Sequence, residues 1–137
     1  MKHSIEARIY YEDTDAGGVV YHASYLKFAE RGRTELLRFL GFENKSMADQ
    51  NGVIFVVRHL DANYIKPAYL DDLLKIDTAI TALKNASFVM KQTASRGKDE
   101  IFSMDMTLVC VDNKTHRPSP IPPKVRQAFE VYMKEGI

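Results

Sequence analysis

The feature that most constrains the fold is one long amphipathic helix pattern in the first third of the chain. Between His22 and Gly41, apolar residues recur at steps of three and four positions, which predicts a helix of about five turns. Gly41 stands where helices commonly end. Gly32 lies on the apolar side, where glycine costs about 1 kcal/mol relative to alanine, so we expect close packing against a sheet there. The predicted apolar stripe consists of Tyr25, Phe28, Ala29, Gly32, Leu36, Phe39 and Leu40.

Most of the remaining sequence alternates apolar and polar residues, the pattern of half-buried strands. A short strand is predicted near residues 5–9, before the helix, and four strands follow it. The strand near residues 53–64 is unusually long, so we expect a bend or a bulge before Pro67. The last strand, near residues 102–110, has one wholly apolar face that includes Cys110. The other predicted elements are strands at residues 74–82 and from residue 88, and a final helix at residues 124–134.

This order of elements predicts an α+β fold, in which a curved antiparallel β-sheet wraps around one long central α-helix. The length fits a single domain that covers residues 1–137. Such a sheet has open edges, so we expect dimerisation through an edge strand, which pairs the free backbone groups and buries more apolar surface.

Composition narrows the class of protein. Lys and Arg number 19 and Asp and Glu number 18, so the near-neutral balance gives no support for nucleic acid as a partner. Cys110 is the single cysteine, which excludes an internal disulfide framework and a Cys-rich zinc site, and a reducing compartment fits best. The first residues have no apolar signal region, and no run is long enough for a transmembrane segment. We therefore expect a soluble, cytoplasmic protein.

Residues 10–22 join the first strand to the helix and collect acidic groups, two glycines and a histidine. Asp13 and Asp15 stand just before the helix start, where backbone N–H groups lack partners inside the helix. Gly17 and Gly18 allow a ligand to approach the backbone closely. A carboxylate beside donors that stabilise an oxyanion is what acyl transfer requires. The same residues also fit a structural connection, in which an aspartate caps the helix and the glycines make a tight turn.

Two other kinds of site, a metal site and a phosphatase site, use similar residues. Asp13, Asp15 and His22 are possible ligands for a hard cation, but no spaced partner ligands recur elsewhere, so no metal site is predicted. An Asp-x-Asp phosphatase would place its acidic pair after a continuous apolar strand of a parallel sheet. Here the polar residues Arg8 and Glu12 precede the pair, so this class is excluded.

The full string at residues 10–25, YYEDTDAGGVVYHASY, followed by ERGRTE at residues 30–35, closely resembles the 4-hydroxybenzoyl-CoA thioesterase family. Within that family it is most similar to the Tol-Pal-associated, YbgC-like branch of acyl-CoA thioesterases. The resemblance continues through FVVR at residues 55–58, PAYLDDL at residues 67–73 and LVCVD at residues 108–112, so it spans nearly the whole chain.

Members of this family have the hotdog fold and hydrolyse acyl-CoA thioesters. The resemblance implies that this protein is an acyl-CoA thioester hydrolase of the same fold. It also implies that no cofactor takes part, because coenzyme A is part of the substrate. Family members form dimers that usually pair into tetramers, with active sites at the dimer interface, so a homo-oligomer is expected.

By similarity, Asp15 is the catalytic carboxylate, acting as nucleophile or as general base. Tyr11 and His22 also match functional positions of the branch. We expect the thioester oxygen to accept hydrogen bonds from backbone N–H groups near Val20 to His22, at the helix start. The predicted substrate-binding positions are Gly17, Gly18, Val19, Val20 and Tyr21.

A non-catalytic module that binds acyl-CoA or acyl-carrier protein is the alternative function. A hotdog hydratase is disfavoured, because the central region lacks an adjacent acid and histidine. The sequence leaves open the acyl group, the choice between coenzyme A and acyl-carrier protein, and the cation that binds the CoA phosphates. The candidate cations are Arg58, Lys66, Lys91 and Arg96.

Overall fold

The structure is a computed structural model that describes residues 2–135. Within this range, five strands form one antiparallel sheet in the order β1-β3-β4-β5-β2, and the predicted α+β architecture is confirmed. The elements are β1 (His3–Arg8), a 3-10 turn (Tyr11–Asp13), α1 (Ser24–Phe39), α2 (Asn44–Ser46) continuing as a π turn (Met47–Asn51), β2 (Val53–Tyr64), β3 (Leu73–Leu83), β4 (Ser87–Arg96), β5 (Asp99–Asp112) and α3 (Pro123–Glu135).

The sheet places β2 at one edge, although β3 follows it in sequence. β2 pairs with β5, in a register that runs from Val53 opposite Asp112 to Tyr64 opposite Phe102. The register shifts between Val57 and His59, which is the irregularity that the length of this strand predicts. β1 forms the other edge and pairs with β3.

Helix α1 packs mainly against β3, β1 and β4. The close approach expected at Gly32 is confirmed: a Cβ atom there would stand 3.1 Å from both Gln92 Nε2 and Thr78 Oγ1. Gly41 follows the helix with φ +98°, a conformation that glycine adopts without a steric penalty. The apolar face of β5, from Phe102 to Cys110, is buried as predicted.

The helix begins at Ser24, two residues after the predicted start near His22, which is within the usual scatter of helix ends. One detail of the helix prediction is wrong. Phe39 is 68% exposed and does not belong to the buried stripe; its ring instead lies 4.9 Å from the ring of His3. Among the described residues, no helix is both long enough and apolar enough to span a membrane.

Candidate active site

The two aspartates of the acidic loop have different environments, and Asp13 is the buried one. Its carboxylate accepts a hydrogen bond from the N–H of Tyr10 at 2.8 Å. Its carbonyl oxygen accepts the N–H of Tyr21 at 2.8 Å and the hydroxyl of Ser24 at 3.3 Å. Asp13 therefore holds the loop together and ties it to the start of α1, which is the structural role that the sequence left open for one aspartate.

Asp15 is exposed and organises the glycine turn that follows it. Its Oδ1 atom accepts the N–H of Gly17 at 2.8 Å, its carbonyl accepts the N–H of Gly18 at 3.0 Å, and its N–H donates to Val19 O at 2.9 Å. A Cβ atom on Gly17 would stand 3.2 Å from Asp15 Oδ1, and Gly18 has φ +83°. Asp15 Oδ2 makes no hydrogen bond within residues 2–135, so one of its carboxylate oxygens has no protein donor there.

The backbone donors at the helix start are fewer than expected. The N–H of Val20 donates to Ala68 O at 2.9 Å and that of Tyr21 to Asp13 O, so neither is available to a ligand. The expected participation of these two N–H groups is wrong, because short backbone bridges use both. The N–H groups of His22 and Ala23 have no acceptor in the described part of the chain. No side chain caps the helix at Ala23.

Asp15 and His22 both line a pocket of about 330 Å³. The loop and α1 supply one wall of this pocket, and the chain that leaves β2 supplies the other. Its lining residues are Asp15, Val19, Val20, His22, Tyr25, Tyr64, Ile65, Lys66 and Pro67. Asp15, which has an unpartnered carboxylate oxygen, and His22, whose N–H has no acceptor among the described residues, thus line one cavity, which is the combination suited to a carbonyl substrate.

Aromatic contacts join the pocket walls. The Tyr64 hydroxyl donates to the His22 carbonyl at 2.9 Å, and the His22 ring lies 4.4 Å from that of Tyr21. Tyr25 stacks on Phe102, with ring centroids 4.9 Å apart. Burial raises the pKa of the Tyr25 phenol, and this outweighs the Ala68 backbone and the Arg96 charge, which lower it. Burial also raises the pKa of Tyr64, so both phenols are neutral at pH 7.

The structure does not bring all of the predicted site residues into this pocket. Tyr11 is 81% exposed and borders a different depression, together with Arg8, Tyr10 and Asp71. Gly17, Gly18 and Tyr21 shape the loop but do not line the pocket. Val19 and Val20 do line it, but the N–H of Val20 already donates to Ala68 O.

Sequence reasoning did not assign Tyr25, Tyr64 or Pro67 to the site. Tyr25 carried a signal, since a tyrosine on an apolar stripe brings a polar tip into a core. Tyr64 carried none, because its approach to His22 depends on β2 pairing with β5 and not with its neighbour in sequence.

The four candidate cations have different surroundings, and only one of them lines the Asp15 pocket. Lys66 lines the Asp15 pocket and makes an exposed ion pair with Asp99 at 3.2 Å. Arg96 is held by Asp72 at 2.8 Å and by Pro67 O at 3.2 Å. Lys91 borders a depression beside α3, and Arg58 makes no ion pair within residues 2–135. Across the described range, no three His, Cys, Asp or Glu side chains are grouped to hold a metal ion.

Comparison with known proteins agrees with this architecture. The sequence model of the thioesterase-like superfamily matches residues 10–129. The chain is 41% identical over 126 residues to the acyl-CoA thioesterase YbgC of Haemophilus influenzae, covering 92% of this chain and 93% of that protein. It is 42% identical over 124 residues to the acyl-CoA thioester hydrolase YbgC of Escherichia coli O157:H7, covering 90% and 92%.

Among solved structures, a probable thioesterase from Bartonella henselae superimposes with a TM-score of 0.85 at 40% identity. The match covers 89% of this chain and 100% of that one. The family resemblance drawn from the residues is thereby confirmed. The chain belongs to the thioesterase-like superfamily, and its single antiparallel sheet with α1 is the hotdog fold.

Proposed function

We propose that this protein hydrolyses acyl-CoA thioesters to a free acid and coenzyme A, with Asp15 as the catalytic carboxylate. One observation supports this most strongly: Asp15, with its unpartnered carboxylate oxygen, and His22, whose N–H has no acceptor within residues 2–135, line the same pocket. The chain's similarity to YbgC proteins named as acyl-CoA thioesterases supports the substrate class.

In this mechanism the thioester carbonyl lies over the start of α1. Its oxygen accepts hydrogen bonds from the N–H groups of His22 and Ala23, which are the donors left free there. These donors stabilise the negative charge that develops when the carbonyl carbon is attacked, and one such donor is commonly worth about 10² to 10³ in rate. The neutral phenols of Tyr25 and Tyr64 add no charge to the site.

Asp15 acts by one of two routes. As a nucleophile, Oδ2 bonds to the carbonyl carbon, the C–S bond breaks, and water then hydrolyses the acyl-enzyme. As a general base, Asp15 removes a proton from water while the water oxygen attacks the carbon, and the proton passes to the departing thiolate. Both routes use only the carboxylate, water and backbone donors. An acyl-enzyme trapped by mass spectrometry with a slow substrate distinguishes them.

Lys66 is the cation best placed for the phosphates of coenzyme A. It borders the pocket of Asp15, and its ion pair with Asp99 is exposed and therefore weak. Arg96 is already engaged by a carboxylate and a carbonyl.

We also propose that protomers pair through β2 in the cytoplasm, giving dimers that can associate into tetramers. β2 is an edge strand, and Val56, Val57, Leu60 and Tyr64 on it are 37–50% exposed. Antiparallel pairing of β2 with the β2 of a second chain forms hydrogen bonds to the free backbone groups of this edge and covers these side chains. It also sets the beginning of one β2 against the end of the other, so the Asp15 pocket of each protomer adjoins its partner.

The test is thiol release from a panel of short, long and aromatic acyl-CoAs by the parent protein, by Asp15→Asn and by Asp49→Asn. Asp49 is a matched control, because it is an exposed aspartate in the π turn. Turnover by the parent and the control that collapses in Asp15→Asn, with oligomeric state intact, supports hydrolysis. Tight acyl-CoA binding without turnover, unchanged in Asp15→Asn, favours the binding module instead.

A further inference from the structure

A second cavity, of about 300 Å³, lies beside the C-terminal half of α1 and apart from the Asp15 pocket. Apolar side chains from β2, β4 and β5 form most of its wall, including Ile54, Phe55 and Val57 at the beginning of β2. On the α1 side the wall consists of Leu37 and three polar residues, Glu30, Arg33 and Thr34. The volume is at the lower end of the range for small-molecule sites.

Arg33 is held in this cavity by a buried amide. Its guanidinium donates to Gln92 Oε1 at 3.1 Å. Gln92 is 1% exposed, and its Nε2 atom donates to Ala29 O at 2.8 Å and to Thr78 Oγ1 at 2.9 Å. The amide of Gln92 is therefore fixed on the sheet, and it fixes the direction of Arg33.

The guanidinium has more donors than partners. It carries five N–H groups, but the contact with Gln92 is the one hydrogen bond that Arg33 makes within residues 2–135, and it forms no ion pair there. Burial lowers the pKa of Arg33, and the charge of Glu30, one turn earlier, raises it in part. Burying a cation partly while its N–H donors stay unused costs free energy, unless a further acceptor binds to those donors.

The two cavities lie at opposite ends of the same edge strand. The beginning of β2 lines the Arg33 cavity, and Tyr64 at its end lines the Asp15 pocket. Antiparallel pairing of two β2 strands brings the beginning of one beside the end of the other. The Arg33 cavity of one protomer then adjoins the Asp15 pocket of its partner.

We propose that this cavity receives the acyl group of a thioester held at Asp15 of the partner subunit, and that Arg33 donates hydrogen bonds to an oxygen carried by that acyl group. This inference rests on the proposed function and names its substrate class: acyl groups with a neutral oxygen, a hydroxyl or a ketone, beyond the thioester carbonyl. A carboxylate is disfavoured because Glu30 adds a negative charge to the same wall.

Binding is measured first in the Asp15→Asn protein, so that thioesters persist. The ligands are hexanoyl-CoA, derivatives with a hydroxyl or a ketone at successive carbons, and adipoyl-CoA, which ends in a carboxylate. At least one neutral oxygenated ligand should bind tenfold or more tightly than hexanoyl-CoA, about the effect of a hydrogen bond to a charged group. Adding Arg33→Met should remove this preference. Arg31→Met, which removes an exposed guanidinium from the same helix, should retain it.

The same ligand ratios should appear in kcat/KM of the protein with Asp15 intact. No preference for oxygenated ligands, a preference that survives Arg33→Met, or a preference for adipoyl-CoA would overturn the inference. So would an equal loss of binding for every ligand, or dissociation of the oligomer, in Arg33→Met, because Arg33 would then be an interface residue. Arg33-dependent binding without any turnover would instead reject hydrolysis and retain this inference.

Discussion

The phenol of Tyr64 donates a hydrogen bond to the main-chain carbonyl of His22 at 2.9 Å, although 42 residues separate them in sequence. This contact joins the end of β2 to the last residues before α1. It connects the strand that we expect at the interface between protomers to the donors that we expect at the thioester oxygen. We therefore expect assembly and catalysis both to depend on this hydrogen bond.

Tyr64→Phe removes this hydrogen bond and keeps the ring contacts with Tyr25 and Phe102. A net hydrogen bond is worth about 0.5–1.5 kcal/mol, and exposure places this one near the lower limit. We expect little change in the midpoint of thermal unfolding but a several-fold lower kcat, since the His22 backbone loses its anchor.

Steady-state hydrolysis and thermal denaturation, measured side by side, check this expectation. Tyr69→Phe is the matched control, because Tyr69 is similarly exposed and its phenol makes no hydrogen bond within residues 2–135. Equal rates for Tyr64→Phe and Tyr69→Phe would show that the link to His22 does not affect catalysis.

Much of the fold followed from residue periodicity, because α1, β3, β4 and β5 each bury one continuous face. The period identified α1 and β5 well, but it could not report that β2 pairs with β5, since alternation contains no information about partners. Tyr64 was missing from the predicted site for the same reason, because its position beside His22 depends on the strand with which β2 pairs. The acidic Gly-Gly string located Asp15, but the string could not show that Asp13 is buried or that the N–H groups of Val20 and Tyr21 are already used.

Gly32→Ala should destabilise the protein by up to about 2 kcal/mol, because the usual overpacking cost of about 1–3 kcal/mol is offset by about 1 kcal/mol of helix propensity. The new methyl group would meet Gln92 Nε2 and Thr78 Oγ1 at 3.1 Å. Both neighbours are buried and joined to each other by a hydrogen bond, so they cannot move independently.

Urea unfolding provides the free-energy difference for Gly32→Ala. Arg31→Ala, on the exposed side of the same helix, serves as control and should change stability by less than about 0.5 kcal/mol. A Gly32→Ala protein more stable than the parent would mean that α1 can move away from the sheet at no cost.

Cys110 should be unreactive in the folded protein. Its side chain is buried, and burial raises the pKa of the thiol to about 11, so the reactive thiolate is scarce at neutral pH. We expect one thiol per chain to react with a disulfide reagent in urea and almost none at pH 8 without denaturant. Rapid labelling of the native protein would contradict this, and would also require correction of thiol-release assays.

Leu60→Lys should separate the protomers. Leu60 is 39% exposed on β2, and a charge on an edge strand is a common means of preventing strand-to-strand pairing. Light scattering after size exclusion should then report a mass near the 15.6 kDa of one chain, where the parent reports a multiple of it. Val131→Lys, at a 48% exposed position on α3, controls for the added charge and should remain oligomeric. Because we expect the Asp15 pocket to adjoin the partner across β2, the Leu60→Lys monomer should also lose most of its hydrolytic activity. A folded monomer that hydrolyses acyl-CoA as fast as the parent would show that each chain contains a complete site, and the placement of the acyl group in the partner's Arg33 cavity would be wrong.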